Sequence, residues 1–480
     1  MAGRSCGTCR DRRILCDRTL PICTQCSQSN RTCKGYGIRL SWPKASNTRR
    51  AVVGRLPSHS KSAVRRFSDA RQVNISTWDL ELHNYLLGLG PYMSTQLVLR
   101  SPMPFNPRQV EVADDYLLQY FQTTASQCLT TFGHDPTDIG NLLMRIALVN
   151  DSSSAAAVLR SILALSSLHR DGLHPQAADH KISALRALVT ASNSSISTME
   201  AAQHVAAGML LLSFEIYQAS CTSGQWTRYL IGVKSIIRAS SLSHPEHRGE
   251  FSTLLDWVHY HDVLLRFSML HWHREGSQAK SALSDACTEP SALTSSPYNT
   301  ALSLLSDVCD AVSAKLSHNQ SVADLHNYKS FLKTIGFRIR NIASPGTPSK
   351  DGPGTTMAVE LFQSAMLVYL NRASGNLLEL ASETEQRIEK VFAILSKLAS
   401  CERQFPLFIL GCQARTDGER CTVLDLIART EKMASSRSLF LVKSMIQAIW
   451  VQDDLANGAI NYVDKLSAVM SCCAIMPTFV

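Results

Sequence analysis

Apolar residues recur at positions i, i+3 and i+4 through most of residues 76–480. This spacing places them on one face of an α-helix, whereas the every-second-residue alternation of a half-buried strand is scarce. The pattern therefore predicts an all-α body built of antiparallel helix pairs. The strongest helical stretches are residues 114–131, 155–170, 177–191, 199–218, 226–240, 251–270, 357–373, 386–400 and 437–451.

Local residues indicate where some of these helices begin and where the pattern is interrupted. The segment 151–154 and Thr198 precede periodic stretches, and their side chains are of the type that accepts hydrogen bonds from the first helical N–H groups. Residues 271–297 and 341–356 lack the pattern, and the second of these segments is rich in Gly, Pro, Ser and Thr. We expect loops in both places.

The amino-terminal part of the chain does not share this periodicity. Residues 41–75 are rich in Ser and Arg and include Gly and Pro, which indicates a flexible basic linker. No apolar heptad persists over three repeats, so a coiled-coil zipper is not expected there. The predicted organisation is a head at 1–40, this linker, and the helical body at 76–480.

Composition agrees with a folded chain and excludes several classes. Hydrophobic residues make up 45% and charged residues 18% of the chain, which is globular composition. No apolar run approaches the roughly 18–20 residues that span a bilayer, and the amino terminus lacks the apolar core of a secretory signal. We therefore expect no membrane partner and no structural disulfides, and we interpret the cysteines as thiols or metal ligands.

Charge is distributed unevenly along the chain. Residues 1–75 contain 16 Lys and Arg but only three Asp, a net charge of +13. The whole chain has a net charge of +9, so residues 76–480 have −4. A short basic head on a mildly acidic body predicts a nucleic-acid-binding end.

The 15 cysteines are also distributed unevenly. Nine are scattered from residue 128 onward, mostly in apolar helical contexts, where a free cysteine behaves as a small hydrophobic residue. The other six form the spacing C-x2-C-x6-C-x6-C-x2-C-x6-C, in which a three-cysteine unit recurs after 17 residues. They are Cys6, Cys9, Cys16, Cys23, Cys26 and Cys33.

The number of cysteines limits the metal chemistry that the head supports. Zinc bound by thiolates takes four tetrahedral ligands, so one zinc would leave two thiolates over and two separate zincs would need eight ligands. No histidine precedes His59 to supply the rest. The count closes if two thiolates each bridge both metals, and the repeat points to Cys6 and Cys23. A RING-type or ribbon module needs a different ligand count, and a disulfide knot needs an oxidising compartment.

This pattern resembles the fungal Zn2Cys6 binuclear cluster family, in which residues 10–15 match the basic helix. The resemblance implies a small metal-folded head, with two short helices around two Zn²⁺ ions. It also implies that Cys9 and Cys16 complete one site while Cys26 and Cys33 complete the other.

The same resemblance implies that double-stranded DNA is the partner and that CGG-type triplets are the target. Arg12 and Arg13 match the pair that lies nearest the bases, and arginine is suited to bidentate recognition of guanine. The other nearby cations are interpreted as phosphate contacts, namely Arg10, Arg18, Arg31 and Lys34. Leu15 departs from the pattern because a lysine is usual there, so we expect Leu15→Lys to steepen the salt dependence of DNA binding by about one unit.

Several phrases of the body resemble the fungal-specific regulatory domain of Zn2Cys6 activators, of the arginine-metabolism-regulator type. The resemblance implies an all-α regulatory domain for effector sensing or transactivation. The phrases are FQTTASQCLTTFG, ILALSSLHR, MLLLSFEIY, LLDWVHYHDVLLRFSMLHW and FPLFILGCQA, and GYGIRLSW follows the last cysteine of the head.

The body does not contain the usual catalytic motifs. Phosphate-binding, dinucleotide-binding, nucleophile-elbow and H-E-x-x-H patterns are all missing from the sequence, so no enzyme is predicted. The best histidine group is His259, His261, His271 and His273, with Asp262 nearby. Each H-x-H pair points to opposite sides of a helix, which makes a poor metal site and favours packed histidines.

Three functions remain open at this point. The first is a nuclear, sequence-specific transcription factor that acts with the RNA polymerase II transcription machinery and pairs, if at all, through its helical body. Amino-acid or nitrogen metabolism and secondary metabolism are both compatible as the regulated pathway. The second is a metabolite-binding or catalytic helical protein that a zinc head tethers to chromatin. The third is a zinc-based protein-interaction module.

Overall fold

The computed structural model divides the chain into two compact units, Met1–Arg71 and Gln72–Val480. The first unit has two short helices, α1 (Gly7–Asp11) and α2 (Thr24–Gln28). The described residues are 5–19, 22–34, 77–89, 114–129, 132–192, 197–218, 225–240, 242, 245–272, 297–316, 322–342, 353–378, 381–401, 403–433, 437–456 and 460–480. The predicted linker lies outside them.

The described part of the second unit is helical and contains no β-strand. A 3₁₀ turn at Ala125–Cys128 follows α4. The α-helices are α3 (Thr77–Leu86), α4 (Asp114–Thr123), α5 (Pro136–Leu148), α6 (Ser153–Asp171), α7 (Pro175–Ala191), α8 (Thr198–Tyr217), α9 (Trp226–Ala239), α10 (Pro245–His271), α11 (Pro297–Leu316), α12 (Val322–Arg340), α13 (Pro353–Ala373), α14 (Ala381–Leu395), α15 (Gln404–Gly411), α16 (Asp417–Met433), α17 (Arg437–Ala456) and α18 (Tyr462–Ser471).

The predicted all-α architecture is confirmed, with corrections to some boundaries. The helix predicted at 114–131 ends at Thr123 and gives way to the 3₁₀ turn. The helix predicted at 386–400 begins and ends five residues earlier, at Ala381 and Leu395. Some helices were not singled out by the pattern, namely α3, α5, α11, α12, α15, α16 and α18.

Helix ends in the second unit follow local capping chemistry. At the start of α8, Ser197 Oγ accepts from Glu200 N–H, and Glu200 Oε2 accepts from Ser197 N–H, which is a capping box. Helix α6 begins after the Ser152 hydroxyl cap and ends at Gly172, whose φ of 72° suits a residue without a side chain. These caps satisfy backbone groups that a helix end would otherwise leave unpaired.

Two hydrophobic cores share helix α10 as a wall. The small core is formed by α4, α5, α6, α8 and α9, and the large core by α3 and α11–α18. Trp257 and Leu254 of α10 face the small core, whereas Tyr260 and Phe267 face the large one. Helix α8 is buried without interruption from residue 201 to 216, so it has no solvent-facing stripe.

Residues 472–480 follow α18 as a non-helical segment and contribute to both cores. Met476 packs in the small core, and Phe479 packs in the large core, with its ring 5.1 Å from Phe267 and 4.9 Å from Phe408. Backbone carbonyls of the segment accept hydrogen bonds at 2.6 Å from Ser268 Oγ and from Gln404 Nε2. The segment is therefore part of the core of the second unit.

Candidate metal centre and nucleic-acid interface

The two halves of the head have the same backbone plan, displaced by 17 residues. Cys6 precedes α1 and Cys23 caps α2, and each accepts on Sγ a hydrogen bond from the N–H three residues later. Cys9 and Cys26 lie within the two short helices. The sequence repeat is thus also a structural repeat.

Both helices end in the same way. Ile14 N–H donates to Cys9 carbonyl O at 3.1 Å, and Arg31 N–H donates to Cys26 carbonyl O at 2.9 Å. Each of these six-residue closures requires a left-handed residue just before the donor, a conformation that glycine and asparagine adopt most readily. Asn30 has φ of 50° in the second half, and Arg13 has φ of 56° in the first.

This closure corrects the prediction of one basic helix over residues 10–15. Helix α1 ends at Asp11, so Arg12 and Arg13 lie in the turn that follows it and only Arg10 is helical. The physical reason is that the Ile14–Cys9 bond stops the helix before the third cysteine. The left-handed backbone at Arg13 carries strain, and such strain is concentrated at functional positions.

The six cysteines are gathered into two groups that have two members in common. In each group the Sγ atoms all lie within 4.8 Å of one another. Tetrahedral thiolates about 2.3 Å from zinc stand roughly 3.8 Å apart. The described sulfurs fit this spacing: Cys6 lies 3.6 Å from Cys23 and 3.7 Å from Cys26. The groups are Cys6, Cys9, Cys16 and Cys23, and Cys6, Cys23, Cys26 and Cys33.

The local environment displaces the thiol pKa values in both directions. The Cys6 N–H donates to Cys16 Sγ and lowers the pKa of Cys16 to about 7, whereas burial raises the pKa of Cys9 to about 12 and that of Cys23 further. Metal binding requires thiolates, so zinc must displace protons from the buried sulfurs. We therefore expect zinc affinity to rise with pH.

The head has almost no hydrophobic core apart from the cysteines. Among the residues of the head whose burial is described, the buried ones are Cys6, Cys9, Cys23 and Cys26, whereas Leu15 is 94% exposed. A segment of this length cannot fold on so little apolar burial. Metal coordination must therefore supply the folding free energy, of the order of 10 kcal/mol per structural zinc.

Two polar side chains that the sequence did not single out hold the head together. Thr8 Oγ1 donates to Thr32 carbonyl O at 2.9 Å and accepts from Lys34 N–H at 3.0 Å. Asp17 Oδ2 accepts from Thr19 Oγ1 and from Thr24 N–H at the start of α2. Hydrogen bonds from the side chains of Thr19 and Thr24 and from the Thr24 backbone N–H keep the pKa of Asp17 below its usual range. Neither link joins residues that are 17 positions apart, so the repeat in the sequence gives no signal for them.

The cations proposed for DNA contact differ in their surroundings. The Arg13, Arg18 and Arg31 side chains are exposed. Arg12 Nη1 donates to Ser29 Oγ at 3.3 Å. Lys34, one of the expected phosphate contacts, forms an ion pair in which its Nζ lies 3.0 Å from Asp11 Oδ2.

The cysteines of the body agree with their interpretation as small hydrophobic residues, with one exception. Cys309, Cys412 and Cys473 are buried, and burial raises the pKa of the Cys309 and Cys473 thiols to about 12. Cys421, in α16, is exposed. Cys221 and Cys287 lie outside the described residues.

The histidines that the sequence grouped together do not form a common site. His261 is fully buried beside Trp257, and burial lowers its pKa to about 3. His271 Nε2 lies 2.5 Å from Tyr369 Oη, in the large core. His273 lies outside the described residues. Within the part of the chain that is described, only the cysteine groups bring three or more metal-ligating atoms together.

A basic head that requires metal to fold, followed by an all-helical unit, defines a class: zinc-dependent regulators that bind DNA. Family comparison agrees, because residues 4–43 match the fungal Zn(2)-Cys(6) binuclear cluster domain and residues 116–473 match the fungal specific transcription factor domain. The chain belongs to this family of fungal transcription factors, whose cluster domain binds two zinc ions. It is a DNA-binding transcription regulator and not an enzyme.

Relatives extend the comparison to most of the chain. Transcription factor iacI of Pestalotiopsis fici is 44% identical over 387 residues, which are 80% of this chain and the whole of that protein. Arginine metabolism regulation protein II of Saccharomyces cerevisiae is 49% identical over 39 residues, 8% of this chain and 4% of its own. Transcriptional regulatory protein moc3 of Schizosaccharomyces pombe is 58% identical over 31 residues, 6% of each chain.

No solved structure matches the chain. None of the described helices has the length and apolar character needed to cross a membrane.

Proposed function

We propose that Cys6 and Cys23 each bridge two zinc ions. In this arrangement Cys9 and Cys16 complete the first site, and Cys26 and Cys33 complete the second. The two groups of cysteine sulfurs support this assignment. Cys6 and Cys23 belong to both groups, and no other cysteine does. The domain layout that goes with it is a head at 1–40, a linker at 41–75 and a regulatory domain at 76–480.

We propose that the first half of the head reads DNA bases in the major groove. Arg12 and Arg13 lie on an exposed turn at the end of α1, where a guanidinium is able to approach guanine O6 and N7. The equivalent residues of the second half, 17 positions later, are Ser29 and Asn30, which have no charge. The two halves thus have the same backbone arrangement, but only the first half has a pair of base-reading cations.

The remaining cations have positioning roles in this proposal. Arg10, Arg18, Arg31 and Lys34 contact phosphates, which orient the head without reading the sequence. The preferred target is a CGG-type triplet. Leu15, fully exposed beside this turn, places an apolar side chain where a cation would add a phosphate contact, and the salt dependence of binding is correspondingly shallow.

The body has the regulatory role in the nucleus. We infer that it transmits signals to the RNA polymerase II transcription machinery and that any homodimer forms through its helices. Regulation of amino-acid, nitrogen or secondary metabolism is the expected biological setting.

The test is the selection of preferred DNA from a random pool by the zinc-loaded full chain, followed by affinity measurements at fixed salt. Replacing Arg12 and Arg13 by Ala should cost about 1–3 kcal/mol per lost base contact and relax selection within the triplet. Arg186→Ala, an exposed arginine on α7, is the matched control and should change nothing. Unaltered selection by the double variant would assign DNA reading to other residues.

A further inference from the structure

The side chain of Arg12 is tied to the opposite half of the head by a hydrogen bond. Arg12 Nη1 donates to Ser29 Oγ at 3.3 Å, and the two residues are 17 positions apart. Arg13 is exposed, and its side chain makes no hydrogen bond to the described residues of the head. The two arginines expected to read bases therefore differ, because only Arg12 is held by a contact within the protein.

The hydroxyl of Ser29 is itself held in one orientation. Ser29 Oγ donates to the Gln25 carbonyl O at 2.6 Å, and the Cys26 carbonyl O lies 3.3 Å away. Because a hydroxyl has one proton, that proton points to the end of α2 and the lone pairs of Oγ face other donors. A chain that runs from a guanidinium through a hydroxyl to a carbonyl is polarised along its length, which strengthens each bond.

The backbone around Ser29 is fixed by the same turn that ends α2. Ser29 directly follows the last residue of α2, and Asn30 has φ of 50°. Arg31 N–H then donates to the Cys26 carbonyl O at 2.9 Å. Since Cys26 belongs to one of the two sulfur groups, the acceptor for Arg12 is placed by the metal centre of the second half.

The bond to Ser29 uses one side of the guanidinium and leaves the other available. Arginine has five N–H donors in a rigid plane. With Nη1 of Arg12 directed to Ser29, Nη2 and Nε remain as two parallel donors, which suit the bidentate contact to guanine O6 and N7. Fixing the plane before DNA arrives also reduces the side-chain entropy that is lost on binding.

We propose that Ser29 is a positioning residue that orients the Arg12 guanidinium for base reading. The inference rests on the proposed function of Arg12, and it gives the second half of the head a part in reading the sequence. Ser29 acts through Arg12 and not through a phosphate. It therefore affects discrimination between DNA sequences and leaves the number of neutralised phosphates unchanged.

The experiment titrates the zinc-loaded full chain with a duplex that contains one CGG triplet and with three duplexes in which one base pair of the triplet is changed. We expect Ser29→Ala to weaken binding of the CGG duplex by about three- to tenfold, the usual effect of losing one hydrogen bond. The slope of log affinity against log salt should not change. Ser29→Thr keeps the hydroxyl and should restore discrimination. Ser27→Ala, the same substitution at an exposed serine of α2, is the matched control and should have no effect.

A double-variant cycle links the effect to Arg12. In an Arg12→Ala background, Ser29→Ala should have no further effect, whereas in an Arg13→Ala background it should keep its full effect. Ser29→Ala and Arg12→Ala should also lose discrimination at the same base pair of the triplet, because both act on the same contact.

Three results would overturn the positioning role. They are loss of zinc from Ser29→Ala in native mass spectrometry, equal weakening of binding to all four duplexes, and an undiminished effect of Ser29→Ala in the Arg12→Ala background. Failure of the proposed function looks different, because Arg12→Ala would then keep full discrimination. If Arg12→Ala loses discrimination and Ser29→Ala keeps it, only the positioning role is wrong.

Discussion

The Sγ atoms of Cys6 and Cys23 lie 3.6 Å apart, and these are the two cysteines that belong to both sulfur groups. They are also equivalent positions of the 17-residue repeat. Each accepts a hydrogen bond from a backbone N–H, which stabilises a thiolate at that position. Position and symmetry thus favour the same two bridging ligands.

Bridging and terminal cysteines should differ in how many metals they support. Cys33→Ser leaves the first site its four thiolates, so we expect this variant to retain one zinc. Cys23→Ser leaves each site three thiolates, so we expect it to lose both. Native mass spectrometry of the full chain counts the ions, with Cys421→Ser as the control that keeps two. One tightly bound zinc in Cys23→Ser would contradict the bridging assignment.

The ion pair between Asp11 and Lys34 should restrain DNA binding. The pair is exposed, so it contributes little to stability, but it neutralises Lys34, a cation that we propose contacts a phosphate. We expect Asp11→Asn to raise affinity and to steepen the slope of log affinity against log salt by about one unit. Asp179→Asn, an exposed acid on α7, removes the same charge from the body and should leave the slope unchanged.

A double-variant cycle separates the pair from general repulsion. In a Lys34→Ala background, Asp11→Asn should have a clearly smaller effect than in the natural chain. If the two effects were equal, Asp11 would act on DNA directly and not through Lys34.

His261 should make the body sensitive to acid. Neither of its ring nitrogens has a hydrogen-bond partner in the described residues, and its pKa of about 3 lies far below the ordinary 6.5. Between about pH 6.5 and pH 3, His261 is protonated in the unfolded chain and neutral in the folded chain. The free energy of unfolding therefore decreases as the pH falls through this range.

We therefore expect His261→Phe and His261→Leu to raise the free energy of unfolding by about 1 kcal/mol at neutral pH, because a buried polar group without a partner is removed. Both variants should also flatten the acid dependence. His326→Leu, at an exposed position on α12, is the control. Denaturant unfolding at several pH values measures the change, and a slope identical to that of the natural chain would exclude His261 as its source.

Thiol reactivity should follow burial. N-ethylmaleimide should label exposed Cys421 in the folded protein, whereas Cys309 and Cys412 should react only after denaturation, since burial raises their pKa values. Peptide mass spectrometry identifies the labelled sites, and a chelator should add the cysteines of the head. Labelling of Cys309 as fast as that of Cys421 in the folded chain would disprove the burial.

The sequence was sufficient to predict the helical class and the metal centre because both produce a regular spacing of residues along the chain. Cysteine spacing reports ligand geometry directly, and one-sided helices repeat their apolar residues. Helix α15 was not predicted because every residue from Gln404 to Gly411 is buried. Its sequence therefore has no polar face from which the helical period could be recognised. The non-helical residues 472–480 were missed for a related reason: their burial depends on tertiary contacts with α10 and α15.

The end of α1 shows a signal that was present but indirect. The run from Arg10 to Leu15 contains no glycine or proline that would stop a helix. Its counterpart in the second half has Asn30, a residue that favours the left-handed conformation, at the position equivalent to Arg13. Comparing the two halves position by position would have predicted the turn.

Because of the 17-residue repeat, the head resembles a dimer whose two subunits are joined in one chain. Cys6 meets Cys23 and Arg12 meets Ser29, so equivalent residues touch where a two-fold axis would pass, as they do in an isologous interface. Each half owns three thiolates, one fewer than a tetrahedral zinc requires. Neither half can therefore fold by itself. A substitution near this pseudo-two-fold axis affects both halves of the head.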